Sequence, residues 1–187
     1  MALLRGGEPQ RLPPVAVIEA ETGLERRIVA DPEWRAGAAW GRHTKGHPED
    51  SVAEHVAEVL ANVDRGAHDP ATRARLRLIA LVHDTFKHEV RWWWPGRGDH
   101  ARLARRFAER YVDDEGVLLV VEHHDDAYRA WRRARRTGRW RAAERRAIAL
   151  RDRLAEHLPL FLAFYRADNA TGTKAPDDLR WFERLVA

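Results

Sequence analysis

Residues 76–87 read LRLIALVHDTFK. Leu76, Ile79, Ala80 and Phe86 recur at the spacing of one helix face. His83 falls inside that apolar stripe, and Asp84 follows it. The pattern repeats outward from there. Upstream, SVAEHVAEVL starts at Ser51 and sets His55 among Val52, Val56, Val59 and Val63. Downstream, His100 lies one turn before the stripe Leu103, Phe107 and Tyr111. Val117, Val120 and Val121 lead to His124. Phe161, Phe164 and Tyr165 lead to Asp168.

Residues three or four apart share a helix face, so each of these polar groups is predicted to point inward. A lone histidine on an apolar face is more often a satisfied core residue than a ligand. Five segments that each deliver such a group make a different pattern. A buried polar group must be paired, and a buried carboxylate must be paired or bound to metal. His55, His83, Asp84, His100, His124 and Asp168 are therefore the candidate metal ligands. Imidazole and carboxylate donors suit iron, manganese, zinc, cobalt or nickel. The chain has no cysteine, so thiolate ligation is excluded.

In order along the chain, these residues resemble the HD-domain superfamily of metal-dependent phosphohydrolases. The resemblance is carried by His55 in SVAEHVAEVL, His83-Asp84 in ALVHDTFK, His100 in DHARLARRF, His124 in VEHHDDAY and Asp168 in FYRADN. It runs from about residue 46 to 169. The two additional histidines, His100 and His124, match the binuclear members. The resemblance implies that Asp84 bridges two divalent transition-metal ions, iron or manganese first, with cobalt, nickel or zinc compatible. His55, His83 and Asp168 would hold one ion, and His100 and His124 the other. Lys87 stands at the lysine of the HDxxK pattern, one turn after His83. Its ammonium could neutralise a substrate phosphate, which makes Asp84 and Lys87 the expected catalytic pair.

His123 precedes His124, and some relatives use both members of such a pair. Adjacent helical residues diverge by about 100°, so both reach one site only near a helix end. His124 fits the apolar stripe better and is taken as the ligand. Asp125-Asp126 after it resembles the corresponding sequence in HD-type diiron oxygenases. His123 is expected to support the site or touch substrate. His43, Lys45, His47, His88, Arg91, Asn169 and Lys174 lie in or beside loops next to the ligands, where substrate selection is expected.

Composition limits the remaining choices. A chain of 187 residues fits one domain with a sizeable core. Residues 1–14 are Gly- and Pro-rich and read as a flexible tail. Residues 15–187 read as one all-α, HD-type helical bundle with the metal site between its core helices. Helices are expected over Val15–Ala30, from Ser51, from Asp69-Pro70, up to about Glu156, and after Pro176. Thr137-Gly138 breaks the chain into a helical hairpin. No strand-period segment stands out. No A-x-A-type cleavage site follows the N-terminal apolar patch, and no apolar run is long enough to span a membrane. With no cysteine, a cytoplasmic protein is expected.

Thirty-three basic residues face 29 acidic ones, and only Lys45, Lys87 and Lys174 are lysine. Residues 129–146 hold nine arginines against the single acid Glu144, with Trp131 and Trp140 interleaved. Such a stretch could meet a nucleic-acid backbone or a phosphate-rich substrate. Arginine is enriched throughout the chain, so a solvated hairpin is the preferred reading. The favoured function is a phosphohydrolase that acts on a nucleotide or another phosphorylated small molecule through a metal-activated water. The alternatives are an HD-type diiron oxygenase and a nucleic-acid-binding module with a structural metal site.

Overall fold

The computed structural model describes residues 18–41, 51–90, 99–172 and 174–187. The fold is all-α, as expected, and its described residues form ten α-helices. They are α1 Gly23–Ala30, α2 Pro32–Ala38, α3 Val52–Arg65, α4 Pro70–Val82, α5 His100–Ala108, α6 Glu115–His123, α7 Asp126–Thr137, α8 Trp140–Leu154, α9 Leu158–Asn169 and α10 Asp177–Val186. Two short 3-10 turns cover Lys87–Glu89 and Ala155–His157. No described helix is long and apolar enough to cross a membrane.

Local chemistry sets most helix starts. Ser51 Oγ accepts from the Glu54 amide while the Glu54 carboxylate accepts from the Ser51 amide, so α3 begins in a capping box. Asp69 caps α4 ahead of Pro70, Asp99 caps α5, and Asp114 caps α6. Gly138 closes α7 with φ of 70°, a left-handed conformation that glycine adopts without steric cost. Besides the end of α4, two boundaries differ from the sequence reading. The first helix starts at Gly23, because the Thr22 hydroxyl caps the Glu25 amide and residues 18–22 are not helical. The helix expected to reach about Glu156 ends at Leu154, where the chain turns through positive φ at Ala155. The expected tail over residues 1–14 lies outside the described residues.

Helix α4 is central and packs against α1, α3, α5, α6 and α9. Its inner face (Leu76, Ile79, Ala80) is buried with Val56, Val59 and Val63 of α3, Val117, Val120 and Val121 of α6, and Phe161 and Phe164 of α9. Hydrophobic burial at these seams holds the ligand-bearing helix ends together. The α7–α8 hairpin pairs along buried Ala127, Ala130, Ala134, Ala143 and Ala147, and packs on α10 and α6.

Two buried polar contacts fix the N-terminal helices to this frame. The Trp34 indole N–H donates to the Leu81 carbonyl at 2.7 Å, satisfying one of the carbonyls orphaned where α4 ends. Arg77, buried, donates to Glu25 at 3.1 and 3.0 Å, to Asp64 at 2.8 Å and to the Glu19 carbonyl at 2.8 Å. That spread of partners satisfies a guanidinium that would otherwise be costly to bury. Gly37 of α2 lies directly on the turn after α4. A Cβ there would sit 1.6 Å from the Thr85 carbonyl oxygen, so no side chain fits.

Candidate metal centre

Helices α4 and α6 end in the same way. His83 is the C-cap of α4 and His124 the C-cap of α6. The Nδ1 of His83 donates to the Ala80 carbonyl, and that of His124 to the Val121 carbonyl, each at 2.9 Å. A carbonyl only accepts, so Nδ1 carries the proton in both rings. The neutral form of each ring then presents an Nε2 lone pair, as a metal-ligating imidazole must. His55 arrives from the first turn of α3 and His100 from the first turn of α5.

These groups gather into two sets around Asp84. His55, His83 and Asp168 form one, with ligand atoms within 4.8 Å of each other; Asp84, His100 and His124 form the other on the same criterion. In the first, His55 Nε2 lies 3.2 Å from His83 Nε2 and 3.0 Å from Asp168 Oδ1. In the second, His100 and His124 meet Nε2 to Nε2 at 3.2 Å. Asp84 faces both sets. Its Oδ2 is 3.5 Å from His55 Nε2 and 3.4 Å from His83 Nε2. Its Oδ1 is 3.4 Å from His100 Nε2 and 3.3 Å from His124 Nε2.

The residues present fit metal ions on chemical grounds. Five of the six ligand candidates are buried and Asp168 is partly so. Asp84 Oδ1 is buried without a hydrogen-bond partner. An orphaned carboxylate oxygen among imidazole nitrogens is costly unless a cation joins them. The centre can therefore hold metal through buried histidines and aspartates.

Its electrostatics are uneven. Burial alone would raise the Asp84 carboxyl, but Lys87 and the neighbouring histidines hold it well below the usual carboxylate range. Burial would likewise raise Asp168, and Lys174 and His55 outweigh it. Burial lowers His83, which stays neutral and ready to ligate. His124 goes the other way. Burial lowers it, yet Asp125 and Asp84 push it up to about 9. In the ion-free chain, this charged His124 stabilises the fold fully below its unfolded pKa of about 6.5. That contribution fades as pH rises through about 9. An ion entering the Asp84–His100–His124 set must displace the proton. Ion affinity there is expected to rise with pH below about 9 and to level off above it. Calorimetric titration with manganese or cobalt in buffers of different ionisation enthalpy reads the released proton directly. A flat affinity across that range would contradict the charge state assigned to His124.

The other expected site residues scatter in their roles. Lys87 does not continue the α4 helix. The chain turns over residues 83–86, and the Lys87 ammonium comes back onto Asp84 Oδ2 instead of projecting toward solvent. Lys174 Nζ donates to the Asp168 carbonyl at 3.0 Å and its Oδ1 at 3.1 Å, steadying that ligand. Asn169 turns its amide to buried Asp178, away from Asp168. His123 Nδ1 bonds Asp126 Oδ2 at 2.8 Å and belongs to neither ligand set. His88 Nδ1 donates to the Thr85 carbonyl at 3.1 Å, bracing the turn after Asp84. His43, Lys45, His47 and Arg91 lie outside the described residues.

Two neighbours of the centre were not among the expected site residues. Asp125 Oδ2 comes within 3.6 Å of His100 Nε2. Arg129 pairs bidentately with Asp99 at 2.9 and 3.0 Å, reaches Asp125 at 3.4 Å and comes within 3.5 Å of His100 Nδ1. The available signal was the i, i+4 spacing of Asp125 and Arg129 beside a ligand. Comparison with protein-family models, curated proteins and solved structures yields no match.

Proposed function

We propose that the protein is a metal-dependent phosphohydrolase of the HD type, acting on a nucleotide or another phosphorylated small molecule. The observation that carries this reading is Asp84, whose two carboxylate oxygens face two different histidine pairs. On this reading His55, His83, Asp84 and Asp168 hold one ion, and Asp84, His100 and His124 hold a second. The donor set suits iron or manganese first, with cobalt, nickel and zinc also compatible. Bound ions supply Lewis acidity, lower the pKa of a water and stabilise phosphoryl oxygens.

The chain's own residues do the rest. His83 and His124 are held at Nδ1 by backbone carbonyls, so the Nε2 of each ring faces its ligand set; His83 offers a lone pair there, and His124 gives up its Nε2 proton to the ion. Lys174 keeps Asp168 charged and in place. The Lys87 ammonium rests on Asp84. Its long stem lets the same charge serve a substrate phosphate once cations engage that carboxylate.

The test begins with metal analysis of anaerobically purified protein. A panel of phosphomonoesters and phosphodiesters follows, with manganese, cobalt or nickel. Phosphate release tracking metal occupancy is the expected result. Occupancy below about one ion per chain after reconstitution would overturn the binuclear reading. A mixed-valent iron pair with oxygen uptake and no phosphate release would point to an HD-type diiron oxygenase. Steeply salt-dependent nucleic-acid binding without turnover would point to a binding module.

A further inference from the structure

The α7–α8 hairpin carries a second feature, separate from the ligand sets. A groove of about 350 Å³ opens between the two helices. Arg129 and Arg133 of α7 line it together with Arg146 and Arg153 of α8. Its floor is apolar, with Ala130 and Leu150 buried. The one acid in the lining is Asp126, whose carboxylate is engaged by His123.

The arginines are not equivalent. Arg129 is committed to Asp99 and Asp125. Arg133, Arg146 and Arg153 form no ion pair among the described residues, whereas Arg73, Arg75, Arg77, Arg105, Arg110 and Arg166 each hold a carboxylate. Like charges gathered around one concavity repel unless an anion sits among them. Two other exposed arginines of the hairpin lie over aromatic rings, Arg132 over Tyr128 and Arg135 over Trp131.

We propose that this groove binds the phosphate chain of a small molecule, through Arg133, Arg146 and Arg153. Guanidinium forks match phosphate oxygens in pairs, and three of them suit several linked phosphoryl groups better than one isolated anion. The volume falls in the range of small-ligand pockets. The groove also abuts the candidate metal centre. Arg129 lines its wall and reaches His100 Nδ1, and Asp126, also in the lining, holds His123 next to His124. Resting on the phosphohydrolase reading, the bound chain is the distal phosphate portion of the substrate, held while its reacting group lies at the metal centre.

The probe is inorganic tripolyphosphate, titrated calorimetrically into the full chain. Arg133→Gln with Arg146→Gln is expected to weaken binding about tenfold or more for each guanidinium removed. Arg141→Gln with Arg145→Gln removes the same charge from the same hairpin outside the groove, and should change affinity less than about twofold. Equal losses in the two pairs would overturn the proposal, as would an absence of tripolyphosphate binding to the unaltered chain. Binding lost in Asp84→Asn but kept in the groove variants would move the anion to the metal centre; the groove fails and the phosphohydrolase reading survives. Groove-dependent binding with no phosphate release from any ester would leave the anion site standing and sink the hydrolase reading. Preference for long RNA or DNA over tripolyphosphate, with a steep salt slope, would replace the small molecule by a nucleic-acid backbone.

Discussion

Replacing Asp84 with alanine is expected to abolish turnover and to weaken ion binding in both ligand sets at once. Removing a group that merely orients a ligand typically costs about 10- to 100-fold in metal affinity, so loss of the shared carboxylate should exceed about 100-fold at each ion. Asp84 Oδ2 faces His55 and His83, and Oδ1 faces His100 and His124, so no second residue can stand in for it. His100→Ala makes the contrast, because it should weaken the second ion and largely spare the first. Metal stoichiometry by elemental analysis, read beside phosphate release, separates the two variants. The Asp84 substitution carries an electrostatic signature too. Asp84 and Asp125 together keep His124 charged, so the His124 proton should come off at lower pH in Asp84→Ala, an effect NMR titration of the imidazole can follow. Near wild-type hydrolysis or full occupancy in Asp84→Ala would remove Asp84 from the bridge.

Lys87→Met is expected to lower turnover by about 100- to 1,000-fold, the usual loss when one preorganised electrostatic contact disappears. Ion affinity should hold or tighten, because a cation now resting on Asp84 no longer competes for that carboxylate. Burial disfavours the Lys87 ammonium, but Asp84 and Asp125 outweigh it and raise its pKa, so the charge persists throughout the neutral range. Lys87→Arg should recover part of the rate, since charge is kept but geometry is not. Full metal content with unchanged activity on the true substrate would exclude Lys87 from the chemistry.

The core of this architecture was legible because its helices are amphipathic and their polar exceptions recur in phase. His55 within a valine stripe and Asp168 after Phe161, Phe164 and Tyr165 are one-dimensional signals of a shared inner face. What escaped was set by contacts distant in sequence. Nothing near Val82 announces that α4 stops there, since neither Gly nor Pro follows; the Trp34 indole satisfies a terminal carbonyl from 47 residues away. The turn of Lys87 onto Asp84 follows from that stop. The apolar pattern of the first helix extends upstream of Thr22, but the Thr22 hydroxyl caps the Glu25 amide and starts the helix at Gly23. Asn169 stood beside a ligand in sequence, yet a helix separates the directions of neighbouring side chains, and Asp178 claims its amide.

Gly37 carries a consequence for how this molecule can vary. The backbone of α2 meets the Thr85 carbonyl with no room for even a methyl group between them. Thr85 follows Asp84 directly, so the first and second faces of that contact form a single mould: neither can be reshaped alone. Lineages that keep the His83-Asp84-Thr85 turn should keep glycine at position 37. For an engineer the same constraint is a handle, because compensated changes in α2 would re-aim the Asp84 carboxylate while leaving every candidate ligand in the sequence untouched.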